Sequence, residues 1–465
     1  MDINMGLKNF KTAAVIGLST LFSTGMSGTD LNQPQPRDKE VPLPNVILIS
    51  VDDLNDWVGA LHGHPNTLTP NMDRLARKGV VFTDAHASSP LCGPSRAALL
   101  SGIRASTSGF HDNNSSFSAH PVLMENENLP QFLKRMGYST FSSGKVFHSY
   151  YPAFWDESIP KGGRMYSAGD PKLNGLEIPG IFDWGELDTP EEEMDDYKMV
   201  QFAIDRLRSL DDTPFFIACG IYLPHLPWYA PREYFKPFPR ESIIMPEIKS
   251  DDSDDLPATA LSMIYNNYQD LVRKLSPEAQ RDAVRAYLAS THFADAQVGR
   301  LLDALDKSIH ADNTIVVIFG DNGNHHGQKN RWHKDTLWRE STRVPLIIYV
   351  PGMAGNGKPC TRMASLIDIF PTLMDLLGET ASDHLEGRSL KSLLENPAAV
   401  WEHAVITDRR PGQYAIRTGE WCYIRYNEGA EELYNRRNDP REWVNLAGEK
   451  KYDSIKKELM ATYRQ

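Results

Sequence analysis

Continuous apolar runs that stop at charged residues constrain the fold more than any other feature of the sequence. Asn45 to Val51 (NVILISV) stops at Asp52, and Thr314 to Phe319 (TIVVIF) stops just before Gly320-Asp321. A run that is apolar at every position, and not only at alternate positions, is typical of a strand covered on both faces of a parallel sheet. Two further runs have the same character: Pro214 to Tyr222 and Val344 to Val350.

Helical segments alternate with these runs. Residues 71–78 and 129–136 have helical patterns that end at Gly79 and Gly137, and Arg281 to Leu305 has helical periodicity. A short strand, Tyr138 to Ser142, follows the second helix. Alternating helices and apolar strands predict an α/β fold with a large, mostly parallel central sheet flanked by helices.

Polar side chains follow four of the predicted strands, at the point where each strand ends. In open parallel sheets, ligands bind beyond the carboxyl ends of the strands. A single acidic strand end is usually a turn or a helix cap, and a single Lys or His a solvated or structural residue. Four such ends at one sheet edge instead predict one site, built from Asp52 and Asp53, from Lys145 and His148, from His225, and from Asp321 and Asn322.

The segment SSPLCGPSRAALLSG, residues 88–102, predicts a helix that begins near Cys92. Pro94 suits the first helical turn, and Gly102 suits the end. Free backbone N–H groups at a helix N-terminus attract anions and acidify a thiol, so Cys92 is a candidate nucleophile. Arg96, in the first turn, would add a guanidinium to the same anion site. The alternative is a buried structural cysteine beside a helix cap.

The first 28 residues resemble an export signal. Lys8 and Lys11 form a positive region, residues 12–22 are mostly apolar, and small residues follow at 23–28. The apolar stretch is too short to span a bilayer. We therefore expect a signal peptide over residues 1–28 and an exported protein, periplasmic or secreted. The alternative is a disordered or helical N-terminal tail.

Charge and cysteine content exclude several functions. The 465 residues carry 49 Lys and Arg against 61 Asp and Glu, a net charge of −12, which argues against a general nucleic-acid binder. Four scattered cysteines match neither a disulfide scaffold nor a zinc site. His325 and His326 have no partner set for zinc, and we expect them to be loop residues that shape the substrate side of the pocket.

The residues Cys92-Gly93-Pro94-Ser95-Arg96 match the C-x-P-S-R signature of the type I (formylglycine-dependent) sulfatases. Four further motifs resemble that family in the same order, and the pattern is most similar to the iduronate-2-sulfatase branch. Asn322, where that branch has His, and Leu223, where it has Lys, depart from the pattern and weaken the match to an iduronate substrate. The four further motifs are Asp52-Asp53, residues 144–148 (GKVFH), Pro224-His225 and Asp321-Asn322-Gly323.

The resemblance covers about residues 44–447 and implies an alkaline-phosphatase-like fold. It implies a catalytic domain over 44–397 and a small antiparallel-sheet subdomain over 398–465. Short strand patterns at 404–407, 413–418 and 421–426 agree with the subdomain. Arg409, Arg410 and Tyr414 lie in a loop there that either reaches over the pocket or is a solvated turn.

By the same resemblance, one calcium ion would be bound by oxygens of Asp52, Asp53, Asp321, Asn322 and the modified Cys92. A hard divalent ion prefers such oxygen ligands, and magnesium remains an alternative. A maturation enzyme would convert Cys92 to formylglycine. Arg96 would orient the hydrate of that group, Lys145 and Lys334 would bind sulfate oxygens, His148 would act as base, and His225 as acid.

The implied function is hydrolysis of O-sulfate esters on a sulfated carbohydrate, with release of inorganic sulfate. One hydroxyl of the hydrate would attack sulfur, and deprotonation of the other would expel sulfate, which a plain serine or cysteine cannot do. Two alternatives stay open. One is a phosphatase or phosphodiesterase of the alkaline-phosphatase superfamily, which would use Thr or Ser and two metals. The other is a non-catalytic glycan-binding relative.

Overall fold

A nine-stranded mixed sheet forms the centre of the molecule. The computed structural model describes residues 43–162, 172–178 and 180–463, so the predicted signal peptide, 1–28, lies outside the described residues. In chain order the strands of this sheet are β1 (Asn45–Val51), β2 (Val80–His86), β3 (Ser139–Gly144), β4 (Glu157–Pro160), β6 (Phe215–Ile221), β8 (Thr314–Gly320), β11 (Arg343–Val344), β12 (Leu346–Tyr349) and β13 (Pro359–Ser365).

The strand order is β11-β2-β12-β8-β1-β6-β3-β4, with β13 paired to β2. Strands β8, β1, β6, β3 and β4 run parallel, whereas β12 runs antiparallel to both β2 and β8. The single strand predicted over 344–350 is divided at Pro345, which has no N–H for the ladder. The prediction of a mostly parallel sheet is confirmed, while β2 and β13 were not anticipated.

Helices cover both faces of this sheet. Alternate residues of β1 point to opposite faces: Val46 and Leu48 pack with one apolar cluster, Ile47 and Ile49 with the other. Six helices cover these faces: α1 (Pro70–Lys78), α2 (Cys92–Ser101), α5 (Leu129–Arg135), α6 (Asp195–Ser209), α9 (Pro277–Asp306) and α11 (Ile369–Leu376). Helices α2, α5 and α11 cover the first face, and α1, α6 and α9 the second.

The remaining helices are short, apart from the C-terminal one. They are α3 (Ala105–Ser108), α4 (Pro121–Glu125), α7 (Ala258–Ile264), α8 (Asn267–Arg273), α10 (Arg339–Thr342), α12 (Lys391–Glu395) and α13 (Asp453–Tyr463). Two small ladders complete the large region: β5 (Trp184–Leu187) pairs with β7 (Trp228–Pro231), and β9 (His325–His326) with β10 (Trp332–His333). No helix among the described residues is long and apolar enough to cross a bilayer.

A separate antiparallel sheet lies near the C-terminus, as predicted. Its four strands follow one another in order: β14 (Val405–Asp408), β15 (Tyr414–Arg417), β16 (Trp421–Arg425) and β17 (Glu431–Asn435). Helix α13 packs its Leu459 with one face of this sheet. The boundary between residues 397 and 398 stays a prediction.

The register brings the carboxyl ends of the parallel strands to one level. Val51 at the end of β1 lies between Ile221 of β6 and Gly320 of β8. Gly144, at the end of β3, pairs with Gly220 of β6, where a Cβ would lie 2.2 Å from the Lys145 carbonyl carbon. The polar residues that follow these strands therefore leave the sheet together, which confirms their predicted convergence.

Candidate active site

Helix α2 starts at Cys92 and is buried along its whole length. Leu91 precedes it in extended conformation, and Gly102 ends it with φ 70°. The backbone N–H of Gly93 donates to Asn113 Oδ1 at 2.9 Å, which satisfies one of the free donors of the first turn. Cys92 thus stands at the positive end of a buried helix, as the sequence predicted.

The Cys92 thiol is not acidic. Its Sγ lies 2.7 Å from Lys334 Nζ and 3.7 Å from Asp53 Oδ1. Burial, followed by the carboxylate charge of Asp52, raises the pKa of Cys92 to about 12, although Lys145 and Lys334 oppose that shift. The prediction of an acidified thiol was wrong because the helix terminus is buried beside carboxylates, whereas an exposed terminus would favour the thiolate.

Three carboxylates meet directly in front of Cys92. Asp52, Asp53 and Asp321 each offer an oxygen, and these oxygens lie within 4.8 Å of one another. Asn322 joins them, since its Nδ2 donates to Asp53 Oδ1 at 2.9 Å. Asp53 Oδ2 and Asn322 Oδ1 are buried and have no hydrogen-bond partner in the described part of the chain. Two unpaired oxygens beside clustered carboxylates fit a hard cation such as calcium or magnesium.

Buried cations neutralise these carboxylates. Arg96 Nε donates to Asp321 Oδ2 at 2.7 Å, and its Nη2 donates to Asp52 Oδ1 at 3.2 Å. Lys145 forms an ion pair with Asp52, and Lys334 one with Asp53. Each of these side chains is at most 3% exposed. A buried ion pair contributes little net stability after desolvation, so a ligand site explains the cluster better than folding does.

The carboxylates differ in protonation. Burial raises the pKa of Asp321 to about 7, and the Arg96 guanidinium only partly offsets that effect. Burial opposes ionisation of Asp52 as well, but the Lys145 ammonium and other cations, including Arg96, hold the pKa of Asp52 well below its usual value. Asp52 is therefore anionic at neutral pH, whereas Asp321 can hold a proton that a bound cation would displace.

The two predicted catalytic histidines lie beside this cluster and are neutral. His225 Nδ1 lies 2.6 Å from the Leu226 carbonyl oxygen, which can only accept, so Nδ1 carries the hydrogen. His225 Nε2 lies 3.9 Å from Asp53 Oδ2. Burial, and then Lys145, lower the pKa of His225 well below its usual value and that of His148 to about 3. His148 Nδ1 is buried and has no hydrogen-bond partner in the described residues.

All the predicted site residues are thus brought together, and three residues near them were missed. His333 is mostly buried, its Nε2 lacks a partner among the described residues, and the charges of Lys334 and Asp53 act on it. Tyr287 donates its hydroxyl to the Asp53 carbonyl at 2.9 Å. Asn113 holds Gly93. His333 is adjacent to Lys334 in sequence, which was an available signal. Asn113 and Tyr287 lie 20 and 234 residues from the residues they contact, so no local pattern points to them.

The structure corrects the expectation for His325 and His326 and decides between the two alternatives for the loop with Arg409 and Arg410. His325 and His326 form strand β9 and are fully buried, so they are not exposed loop residues at the substrate side of the site. His326 packs among rings that include Trp57, at a centroid distance of 4.4 Å, because the hairpin of β9 and β10 turns its side chain inward. The loop carrying Arg409 and Arg410 is not a solvated turn: both guanidiniums bind Asp335, next to Lys334.

Comparison with known proteins gives a consistent result. The model of the family described as Sulfatase matches residues 44–379, and the model described as N-sulphoglucosamine sulphohydrolase, C-terminal, matches 327–465. A sulfatase of Formosa agariphila is 34% identical over 441 residues, covering 90% of this chain and 85% of that protein. Human iduronate 2-sulfatase is 31% identical over 390 residues, covering 72% and 69%.

Among solved structures, a phosphonate monoester hydrolase of Agrobacterium radiobacter superimposes with a TM-score of 0.79 at 22% identity. The alignment covers 91% of this chain and 96% of that one. At this identity the likeness concerns the fold, which is the alkaline-phosphatase-like fold expected from the sequence.

Proposed function

Since the chain belongs to the sulfatase family and is a sulfuric ester hydrolase, we propose that it removes O-sulfate groups from a sulfated carbohydrate. The observation that carries this proposal is the meeting of Arg96, Lys145 and Lys334 with the Asp52, Asp53 and Asp321 carboxylates around Cys92. Cations bind the sulfate oxygens, and the carboxylates leave room for a metal. The sugar in the name of the human relative supports a carbohydrate substrate.

We propose that Asp52, Asp53, Asp321 and Asn322 hold one calcium ion together with an oxygen at position 92. The fit rests on the donor set, which is all oxygen, and on the two unpaired atoms Asp53 Oδ2 and Asn322 Oδ1. When bound, the ion would withdraw charge from the sulfate oxygens and lower the barrier to attack at sulfur.

We further propose that Cys92 is converted to formylglycine by a maturation enzyme. Unmodified, the thiol is buried and protonated, which makes it a poor nucleophile. The modified group, as its hydrate, would supply a nucleophilic hydroxyl and a second hydroxyl for product release. Lys334 Nζ, now 2.7 Å from Sγ, would lie against that group, and Arg96 would fix the first helical turn that carries it.

The two histidines suit opposite proton transfers. His148 is neutral, its Nδ1 has no hydrogen-bond partner in the part of the chain that the structure describes, and it can accept a proton as the predicted base. His225 carries its hydrogen on Nδ1, so it can donate from Nε2 only as an imidazolium. A sulfate ester bound near Lys145 would offset the positive charge that lowers the pKa of His225. The predicted acid role therefore requires substrate to be present.

The local charge also reconciles a net charge of −12 with an anionic substrate. Asp52, Asp53 and Asp321 balance the charges of Arg96, Lys145 and Lys334, so the proposed calcium ion would give the site its positive charge. An anionic substrate would respond to that local field at short range.

Sulfate release from a panel of defined sulfated mono- and oligosaccharides, with 4-nitrophenyl sulfate as a generic substrate, tests this function. We expect release from at least one sugar sulfate by protein matured in its native host, and at least about a thousandfold loss in Cys92→Ala. A phosphonate monoester serves as the competing substrate. A higher kcat/KM on the phosphonate, or full activity of Cys92→Ala, would contradict the proposal.

Mass spectrometry of the peptide that contains residue 92 tests maturation separately. We expect the mass of formylglycine in protein made with the maturation enzyme and a thiol in protein made without it. Sulfate release by protein whose residue 92 is entirely thiol would refute the modification while leaving the hydrolase assignment intact.

We also propose that the protein is exported, to the periplasm or outside the cell, because residues 1–28 have a basic, then apolar, then small-residue pattern. Cell fractionation with N-terminal sequencing should find mature protein outside the cytoplasm with this segment removed. Retention of the full-length chain in the cytoplasm would refute export.

A further inference from the structure

Lys334 is held between two residues with unusual backbone conformation. His333 has φ 71° and Asp335 has φ 68°, in the left-handed region. A non-glycine residue there carries backbone strain and persists only where its surroundings hold it, although Asp tolerates the region better than most. The strain lies on both sides of Lys334, whose ammonium contacts Cys92 and Asp53. Something must therefore hold the segment in place.

Arg409 holds Asp335 by both its backbone and its side chain. Its Nε donates to the Asp335 carbonyl oxygen at 2.9 Å, and its Nη2 donates to Asp335 Oδ2 at 3.0 Å. Its Nη1 donates to Gln413 Oε1 at 2.6 Å within the turn between β14 and β15. The side chain of Arg409 is only 13% exposed, so these hydrogen bonds are shielded from water.

Arg410 connects the same aspartate to the other side of the nucleophile. Its Nη2 donates to Asp335 Oδ2 at 3.2 Å, and its Nη1 donates to the His111 carbonyl oxygen at 2.6 Å. Two residues further on, Asn113 accepts the hydrogen bond from Gly93 at the start of α2. One arginine thus ties together the segment carrying Lys334 and the segment that caps the nucleophile helix.

The turn that carries both arginines is fixed to the same frame. The backbone N–H of Asp408 donates to the Ser88 carbonyl at 2.9 Å, and Thr407 Oγ1 donates to the Ala87 carbonyl at 2.8 Å. Ser88 lies four residues before Cys92, and the backbone N–H of Asp335 donates to Pro90, two residues before it, at 3.2 Å. The C-terminal sheet and its first turn therefore contact residues 87–88, just before Cys92, and Asp335, just after Lys334.

We propose that Arg409 and Arg410 are positioning residues that act through Asp335 to hold the Lys334 ammonium against residue 92. We call Asp335, Arg409 and Arg410 the Asp335 clasp. The inference rests on the proposed role of Lys334 in binding sulfate oxygens. It gives the C-terminal sheet a part in the reaction, because the turn between β14 and β15 would fix the segment that carries Lys334.

A double-mutant cycle tests the clasp. Asp335→Asn keeps tolerance of the left-handed backbone and removes the carboxylate charge, and Lys334→Met removes the ammonium at similar length. We expect Asp335→Asn and Arg409→Gln each to lower kcat/KM for sulfate ester hydrolysis about 10- to 100-fold, because a misplacement of about 1 Å is that costly. Since Lys334 would bind the sulfate group, KM should rise as well as kcat fall. In the Lys334→Met background, Asp335→Asn should cost less than about twofold more.

Conservative replacement sharpens the test. Arg409→Lys keeps the charge but cannot make the paired contacts with Asp335, so it should recover only part of the activity lost in Arg409→Gln. An equal loss from Asp335→Asn with and without Lys334 would overturn the proposal. Full activity of Asp335→Asn would overturn it as well.

Arg436 supplies the matched control. Its Nη2 binds Asp84 Oδ1 at 2.7 Å, so it also joins an arginine just after the C-terminal sheet to an aspartate of the large sheet. The exposed fractions of Arg436 and Asp84 are 17% and 21%, against 13% and 21% for Arg409 and Asp335. Arg436→Gln should lower the melting temperature about as much as Arg409→Gln and leave kcat/KM within about twofold. An equal activity loss in Arg436→Gln would show that the clasp acts through stability alone.

Binding of inorganic sulfate gives a readout that does not depend on turnover. In a thermal-shift titration, Asp335→Asn should bind sulfate about tenfold more weakly than the parent protein, and Arg436→Gln should bind it equally well. If the parent protein binds sulfate but hydrolyses no sulfate ester, the proposed function fails and the clasp is still decided by these affinities. Unchanged sulfate affinity in Asp335→Asn would overturn the clasp.

Discussion

Two buried polar clusters in this protein differ in how completely their atoms are hydrogen-bonded. In the first, behind the C-terminal sheet, the Glu432 carboxylate accepts from three donors: Tyr426 hydroxyl at 2.6 Å, Tyr434 hydroxyl at 2.6 Å and Trp338 Nε1 at 2.7 Å. We call this the Glu432 cluster. Both carboxylate oxygens of Glu432 have protein partners, so this cluster fixes the packing of the strands and needs no ligand.

The second cluster comprises the carboxylates, cations and histidines around Cys92, and we call it the Cys92 cluster. It is equally buried but leaves acceptor atoms unpaired. Asp53 Oδ2 and Asn322 Oδ1 have no partner in the described residues, and neither does His148 Nδ1. Unpaired buried polar atoms cost free energy, about 1–3 kcal/mol each, unless a ligand or water satisfies them. The Glu432 carboxylate is satisfied by protein donors, whereas the atoms around Cys92 fit the proposed metal ion and substrate.

The largest effect on kcat should come from neutralising an acceptor in the Cys92 cluster. Asp53→Asn removes a proposed metal ligand and the partner of Lys334, so we expect kcat to fall at least about a thousandfold. Steady-state kinetics on the substrate found in the panel measure it. The Glu432→Gln variant is the control in the Glu432 cluster. A loss below tenfold in Asp53→Asn would erase the distinction between the two clusters.

Metal removal should have a similarly large but reversible effect. Chelation should abolish turnover, and calcium should restore it and raise the melting temperature. A ligand at 100 times its Kd adds about 2.7 kcal/mol to folding stability. Differential scanning calorimetry of the parent protein and of Asp53→Asn measures the shift, which should vanish in the variant. Calcium-independent activity after exhaustive chelation would contradict the metal site.

The sequence predicted the Cys92 cluster well because its residues follow strand ends or lie at the start of a helix. Asp52, Lys145 and Asp321 each come directly after a strand or the glycine that ends it, so local pattern and sheet topology place them together. The acidity of Cys92 was predicted wrongly because the free energy of ionising a thiol depends on burial, which a motif does not reveal.

The Glu432 cluster and the Asp335 clasp were beyond sequence reasoning for a different reason. Glu432 and Trp338 are 94 residues apart, and Arg409 and Asp335 are 74 apart. The sequence left open whether the loop with Arg409 and Arg410 reaches over the pocket, and no local pattern identifies Asp335 as the partner of these arginines. Only the docking of the C-terminal sheet on the segments around Cys92 brings these pairs into contact.

A smaller effect should follow from replacing His148. Burial, and then the Lys145 charge, lower the pKa of His148 to about 3, so the imidazole is neutral from pH 5 to 9 and can accept a proton there. We expect His148→Asn to lower kcat about a hundredfold at every pH in that range. The kcat/KM profile of the parent protein should show no acid limb that depends on His148 near pH 6.5. Such a limb, lost in His148→Asn, would contradict a neutral histidine.

The same lowered pKa has a consequence for stability, with a definite sign. The unfolded chain protonates His148 below about pH 6.5, whereas the folded protein excludes that proton until about pH 3. The stability of the parent protein should therefore fall relative to His148→Asn as the pH falls from 6.5 towards 3. Denaturant titrations at several pH values measure this difference, and a constant difference would contradict the shift.

Substitutions in the Glu432 cluster should have the smallest effect on activity and a clear effect on stability. In Glu432→Gln one oxygen becomes an NH₂ group that faces a hydroxyl or indole donor, and we expect a loss of about 1–3 kcal/mol in the free energy of unfolding. Tyr426→Phe, which removes one donor and leaves the carboxylate its other two, should cost about 1 kcal/mol. Both variants should keep kcat within about twofold, because Glu432 contacts none of the residues around Cys92. Loss of turnover in Glu432→Gln without loss of stability would mean that the Glu432 cluster, too, serves the reaction.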